Sequence, residues 1–330
     1  MSILGRKALL NSGRLARAAA LIGATTAVVS LAATAAAVGP HFSAWSTALK
    51  VDEIGGNSSE LNTAFLDGCP IESPDGRSLY MASNRPGGEG VLDIWVAHRE
   101  SRHGPFGAPE NMGPPVNSAA DDFCPTPVRG GLFFVSRRTT AESCGLGDIY
   151  FTLFSRKDGW AEPEHLACAP EGPNSALDEQ GPSYVKAGRR ALLYFSSSSA
   201  SVPGDVYVSE RSAAGSFGPA SPVSELNSPG NDIQPNVRKD GRELVLSSNQ
   251  PYPGAQGGQD LYVSTRASRD DPWSIPLNLG TVVNTPAAET RPSLSRDAQT
   301  LLFGRAPGPE GMSDIYVSTR EPSDDEDDDD

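Results

Sequence analysis

The chain has 330 residues with 41 acidic against 27 basic side chains, a formal net charge of −14, and 34 glycines and 28 prolines. An acidic surface is repelled by nucleic-acid phosphates and anionic lipid, which argues against nucleic acid as a partner and favours cationic groups or divalent ions. Only four histidines occur, at no metal-like spacing, and there is no Gly-x-x-x-x-Gly-Lys phosphate loop, dinucleotide fingerprint or Gly-x-Ser-x-Gly elbow, so no catalytic residue, cofactor or metal site is indicated.

In chain order, Arg6, Lys7, Arg14 and Arg17 precede an apolar run over residues 18–38, with Ala-x-Ala points at Ala33-Thr34-Ala35 and Ala35-Ala36-Ala37. This is a secretory signal pattern over residues 1–37. An uncleaved anchor is the alternative reading, but alanine-rich hydrophobicity is weak for a permanent span. Cleavage would leave a soluble exported protein, periplasmic, envelope-associated or secreted, without stable membrane insertion.

The body of the chain repeats. Asp93-Ile94-Trp95-Val96-Ala97 recurs as Asp148-Ile149-Tyr150-Phe151-Thr152, Asp205-Val206-Tyr207-Val208-Ser209, Asp260-Leu261-Tyr262-Val263-Ser264 and Asp314-Ile315-Tyr316-Val317-Ser318. The aspartates lie 55, 57, 55 and 54 residues apart, the period of stacked or radially arranged units. In the same register fall Pro70, Pro125, Pro182, Pro235 and Pro292. Eight residues earlier come Asn62, Asn117, Asn174, Asn227 and Asn284, and three residues earlier Asp67, Asp122, Glu179, Asp232 and Glu289.

Each proline opens a short strand that ends in a turn such as Ser73-Pro74-Asp75-Gly76, and Asp-Gly between apolar segments is a strong hairpin signal. A second strand follows that is apolar on both faces, as in Leu192-Leu193-Tyr194-Phe195, and so is expected between layers. A Gly-rich loop, the Asp-Ile-Tyr-Val strand and a fourth strand led by Phe106, Trp160, Phe217 or Trp273 complete the unit. The fifth unit stops after its third strand, at Arg320, whereas residues 42–55 resemble the missing fourth one. The expectation is therefore an all-β, five-bladed β-propeller of four-stranded antiparallel blades over residues 41–320, closed by the N-terminal strand and followed by a disordered acidic tail at 321–330.

The pattern Pro-x-x-Ser-x-Asp-Gly, apolar strand, Ser-x-Arg, Gly-rich loop and Asp-Ile-Tyr-Val resembles the WD-like propeller repeat of the TolB type, best over residues 70–99 and 292–320. The resemblance implies an exported bacterial propeller usually engaged in binding. It names no ligand, because fold does not fix function.

The Asp93 to Asp314 ladder repeats in every unit and is read as a device of the blade, capping loop N–H groups. The acids Asp67, Asp122, Glu179, Asp232 and Glu289 fall at one mouth of the central channel, where they would either attract a cation, calcium among them, or pair with loop arginines such as Arg85 and Arg138. The residue before each proline does not repeat: Cys69, Cys124, Gly181, Gln234 and Arg291. Gln234 and Arg291 are the best recognition candidates there, arginine suiting carboxylate or phosphate. Register pairs Cys69 with Cys124 and Cys144 with Cys168 as disulfides. These readings together describe a monomeric, non-enzymatic propeller that binds a protein, peptide or envelope glycan on the acidic loop face. A glycan-acting hydrolase or lyase is the competing expectation, and its mark would be non-repeated carboxylates converging in a pocket. A structural domain of an envelope assembly is the third.

Overall fold

Five four-stranded antiparallel sheets radiate from a central axis in the computed structural model, which describes residues 41–323 apart from residue 189. The expected signal segment and residues 324–330 of the acidic tail lie outside the described residues. In blade 1 the strands run from the centre outward as Asp67–Glu72, Ser78–Ser83, Asp93–His98 and Glu110–Asn111. The inner strands of blades 2 to 5 are Asp122–Val128, Asp178–Ala187, Asp232–Val237 and Ala288–Leu294. Blade 2 carries one addition, since its third strand, Asp148–Ser155, continues into a small hairpin with Gly159–Trp160 before the outer strand Glu164–His165. Among the described residues the only helical pieces are two 3-10 turns, Val51–Glu53 and Ser59–Leu61.

The outer strand of blade 5 comes from the other end of the chain, with Leu49 opposite Val317 and Lys50 opposite Tyr316. It reproduces the outer strand of blade 4, where Leu277 faces Val263 and Asn278 faces Tyr262. Even the side-chain bonds agree. The Ser318 hydroxyl donates to the Ser46 carbonyl at 2.6 Å as Ser264 does to Ser274 at 2.7 Å. Beyond this pairing, His41 and Phe42 add to Ser323 and Pro322, and the Arg320 guanidinium lies 4.0 Å from the Phe42 ring centroid and 4.3 Å from that of Trp45. Residues 321–323 therefore belong to the ring, and closure covers the third strand of blade 5, leaving the short outer strands as the only blade edges among the described residues.

The doubly apolar second strands explain the packing. Each inter-blade layer holds its own core: Leu79, Met81 and Trp95 meet Leu302 and Ile315 between blades 1 and 5, and Ile94 meets Leu132, Phe134 and Tyr150 between blades 1 and 2. The asparagine ladder stitches neighbouring blades together. Asn117, in the loop leading into blade 2, accepts from the Ile94 amide of blade 1 at 2.9 Å and donates to its carbonyl at 2.9 Å. Asn62 makes the same clip onto Ile315 of blade 5, so one bonding pattern fastens every seam, the closing one included.

In four blades the Asp ladder caps its own Gly-rich loop, as when Asp93 accepts from the amides of Glu89 and Gly90 at 2.6 and 3.1 Å. Blade 3 is the exception, because its second and third strands join through the short 199–202 turn and leave no such loop to cap.

Each inner strand is broken by a bulge at its proline, where ladder register shifts between Gly68 and Ile71 and at the equivalent positions. The residue before the proline sits in the left-handed region in all five blades, with φ of 49° at Cys69, 48° at Cys124, 57° at Gly181, 54° at Gln234 and 58° at Arg291. Only glycine adopts this conformation freely, so four blades hold strain of roughly 1–2 kcal/mol each. The bulge turns the four side chains, and the bare Gly181, toward the axis.

Candidate functional site

The acidic ring does not face the channel mouth. Asp67, Asp122, Glu179, Asp232 and Glu289 are fully buried, and both oxygens of each carboxylate are engaged. One oxygen accepts from a Ser or Thr four residues back, as Asp122 does from the Ser118 amide at 2.6 Å and its hydroxyl at 2.7 Å. A group at the end of the second strand completes each set: Arg85, Arg138 and Ser248 take Oδ1 of Asp67, Asp122 and Asp232, while Ser197 and Arg305 join the Ser175 and Thr285 hydroxyls on Oε1 of Glu179 and Glu289, whose Oε2 accepts from the amide. Burial pushes Glu179 and Glu289 above the usual carboxylate range, with the hydroxyl, amide and arginine bonds opposing it. The ring is a set of internal braces.

At the centre the channel narrows to a cavity of about 30 Å³ walled by Cys69, Cys124, Gly181, Gln234, Arg291 and the following prolines. Cys69 and Cys124 are bonded across the first two blades, with Cα atoms 4.9 Å apart, and Cys144 is bonded to Cys168 at 5.8 Å. Both pairings follow the repeat register. No carboxylate lines this constriction.

A groove of about 1200 Å³ lies between blades 2 and 3, floored by Phe133, Phe151, Tyr184 and Phe217. At its edge Cys144, Asp148 and His165 bring potential ligand atoms within 4.8 Å of one another. With Cys144 already bound to Cys168 the thiolate ligand is gone, and His165 has a structural explanation instead. Opposite Tyr150, it takes the outer-strand place that Asn111 holds opposite Trp95 and Asn278 opposite Tyr262. Like them it bonds the loop-capping aspartate, its Nε2 lying 3.0 Å from Asp148 Oδ2, as Asn111 Nδ2 lies 3.1 Å from Asp93 Oδ2.

A second concavity, about 340 Å³, opens between blades 5 and 1 on the face opposite the Gly-rich loops. Val51, Ile54, Phe106, Leu302 and Val317 form its apolar wall, and Glu72, Asp297, Arg99, Arg102 and His103 its polar one. Glu72 ends the inner strand of blade 1, and its Oε1 lies 2.8 Å from Arg99 Nη2, while that guanidinium lies 4.1 Å from the Phe106 ring centroid. Asp297 sits in the tight turn of blade 5. Its Oδ1 accepts from the Ser295 hydroxyl at 2.6 Å, and its Oδ2 lies 2.8 Å from Arg102 Nη2.

The two carboxyls are driven apart. Burial raises Glu72 above its ordinary range, Arg99 pulling it back and the Asp297 charge adding to the rise. Burial acts on Asp297 in the same direction, but the Ser295 hydroxyl, the Gln299 amide and Arg102 outweigh it and hold this carboxyl low. Two carboxyls of one cavity with split proton affinities are the arrangement that acid–base chemistry requires. Sequence reasoning passed over both residues. Two places after the prolines the chain reads Glu72, Pro127, Tyr184, Val237 and Leu294, so Glu72 was visible as the only acid there.

The sequence matches no family model and no curated protein. Among solved structures the chain is similar to a thermostable family-43 glycoside hydrolase, at 12% identity and TM-score 0.52 over 83% of this chain and 93% of the other. It is similar also to a GH43 endo-arabinanase from Bacillus licheniformis, at 14% identity and TM-score 0.51 over 77% and 93% of the two chains. An α-L-arabinofuranosidase from Lactobacillus brevis aligns at 13% identity and TM-score 0.50 over 79% and 92%. Identities this low establish the five-bladed fold alone. The TolB-type resemblance is accordingly borne out only as a propeller. The expectation of a non-enzymatic binding propeller is corrected, since the similar structures are glycan hydrolases. The acidic face invoked for binding is also sealed inside the blades.

Proposed function

We propose that the chain is a glycan-acting hydrolase whose reactive groups are Glu72 and Asp297, in the cavity between blades 5 and 1. The observation that carries the reading is that two carboxyls from neighbouring blades, Glu72 and Asp297, line one cavity with the arginines that bond them, Arg99 and Arg102. The similarity to arabinanase and arabinofuranosidase structures supports it at the level of fold, and about 340 Å³ accommodates a sugar residue. Glycosidic cleavage needs one carboxyl that donates a proton to the leaving oxygen and one carboxylate that attacks the anomeric carbon or activates water toward it. Glu72, pushed up by burial, holds the proton longer and serves as the acid. Asp297 remains ionised and serves as the base or nucleophile. Arg99, stacked on Phe106, and Arg102 orient the pair.

The test is release of reducing ends from arabino- and xylo-oligosaccharides by the purified protein. Glu72→Gln and Asp297→Asn should each lower kcat by about 100-fold or more while retaining the wild-type near-ultraviolet spectrum. The wild-type rate should follow a bell in pH, with Asp297 setting the acid limb and Glu72 the alkaline one. No turnover across the panel, or turnover indifferent to both substitutions, overturns the assignment.

A further inference from the structure

The channel holds a cation that the protein itself does not neutralise. Among the described residues Arg291 forms no ion pair, and its Nε is sealed from solvent without a hydrogen-bond partner. Its neighbours supply no negative charge. The Arg291 amide donates to Gln234 Oε1 at 3.1 Å, Gln234 Nε2 reaches Gln180 Oε1 at 3.2 Å, and Gln180 Nε2 reaches Asp178 Oδ2 at 2.9 Å. That chain ends on a carboxylate already shared with Arg137, whose guanidinium also pairs with Asp121. Arg137 Nε and Asp178 Oδ1 are likewise buried without partners. Desolvation, aided by repulsion from Arg137, pushes the Arg291 guanidinium down to about 10.

The guanidinium is partly exposed to the channel, with its Nε cut off from water and no counter-charge beside it, whereas charges so desolvated are as a rule paired. Here the fold makes room for the charge instead of replacing it. A Cβ at Gly68 would stand 3.0 Å from Arg291 Nη1, so glycine leaves the space in which the guanidinium lies. The adjoining cavity of about 30 Å³ is large enough for one ion or one or two waters, and its other walls are prolines, Gly181, a disulfide and the uncharged side chains of Ile71, Thr126, Gln234, Asn236 and Ser293. Oxygen-rich cation cages are built from carboxylates and carbonyls, and this constriction has no carboxylate.

We propose that the channel binds one small monovalent anion, of halide or single-carboxylate size, with the Arg291 guanidinium as its principal ligand. The anion neutralises Arg291 and joins blade 5 to the inner strands of blades 1 and 4. The site is independent of the cavity between blades 5 and 1, so it stands or falls apart from the hydrolase reading.

Two measurements on the full chain test this. Crystals soaked in sodium bromide should show an anomalous peak within hydrogen-bonding distance of the Arg291 guanidinium. In solution the protein should broaden the chloride-35 resonance at fixed ionic strength, and Arg291→Met should abolish that excess broadening. Gly68→Ala retains the charge and crowds the guanidinium, and should weaken the chloride affinity by about tenfold. This variant keeps the test meaningful if Arg291→Met folds poorly. Added acetate that removes the broadening identifies a single carboxylate as a competent occupant, while persistence of broadening restricts the site to halides. Absence of a bromide peak at Arg291, or chloride broadening unchanged in both variants, overturns the proposal.

Discussion

Replacing Asn117 by alanine isolates the device that joins one blade to the next. Its side chain is only 2% exposed and makes three bonds: the Ile94 amide to Oδ1 at 2.9 Å, Nδ2 to the Ile94 carbonyl at 2.9 Å, and Nδ2 to Asn111 Oδ1 at 3.0 Å. In the alanine variant the Ile94 carbonyl still receives the Met112 amide at 3.1 Å, but the Ile94 amide, inside the seam between blades 1 and 2, loses its acceptor. One orphaned buried donor costs about 1–3 kcal/mol, and the lost bonds at the other end add roughly 0.5–1 kcal/mol, giving about 1.5–4 kcal/mol. Asn117→Asp should cost at least as much near neutral pH, because its second oxygen would face the Ile94 carbonyl and Asn111 Oδ1. Urea denaturation followed by tryptophan fluorescence, with the m-value unchanged, measures both. A loss below about 0.5 kcal/mol for the alanine variant, or an aspartate variant as stable as wild type, refutes the account of the seam.

Two other outcomes follow from the axis and the ladder. Gly181→Ala should lower stability by about 2–4 kcal/mol in the same denaturation assay, because φ is +57° and the new Cβ would lie 2.8 Å from the Gln234 Cα, a backbone atom that cannot step aside. Asp314 is pushed up to about 7, by burial first and by its hydrogen bond with Glu310 next, and its Oδ1 has no partner. A carboxyl raised in the folded state favours the protonated form, so its contribution is complete below the ordinary aspartate range and is lost as pH rises toward 7. The wild type should therefore lose stability between about pH 4 and pH 7 through this group, and Asp314→Asn should flatten that part of the profile; an unchanged slope in the variant removes the assignment.

The architecture was legible because every structural statement is made five times over. The proline, asparagine and two acidic ladders each fix one register point per blade, and the aromatic at position 45 identified the closing strand by likeness to Trp273. The chemistry was harder to read. Whether an acid faces the channel or backs into its blade depends on the bulge at the proline, and a one-residue slip exchanges the two faces. The Asp67 to Glu289 ladder falls on the inward side of that slip. Glu72 and Asp297 stand at opposite ends of the sequence and meet only because blade 5 closes against blade 1. Asp297, moreover, belongs to a turn shared with Asp75 and Asp240, which disguised it as architecture.

The closing clasp ties the protein's completion to time as well as to space. Leu49 and Lys50 are among the first described residues to be synthesised, yet their partners, Val317 and Tyr316, are among the last. Through nearly all of synthesis the first segment has no mate, and until it docks the Asp314–Thr319 strand presents an unpaired edge. Contacts of such sequence separation form slowly, since the loop-closure entropy must be met before they return anything. The ring therefore has no complete half on which to rest, and tension applied to the N-terminus would open it at the blade that finishes it.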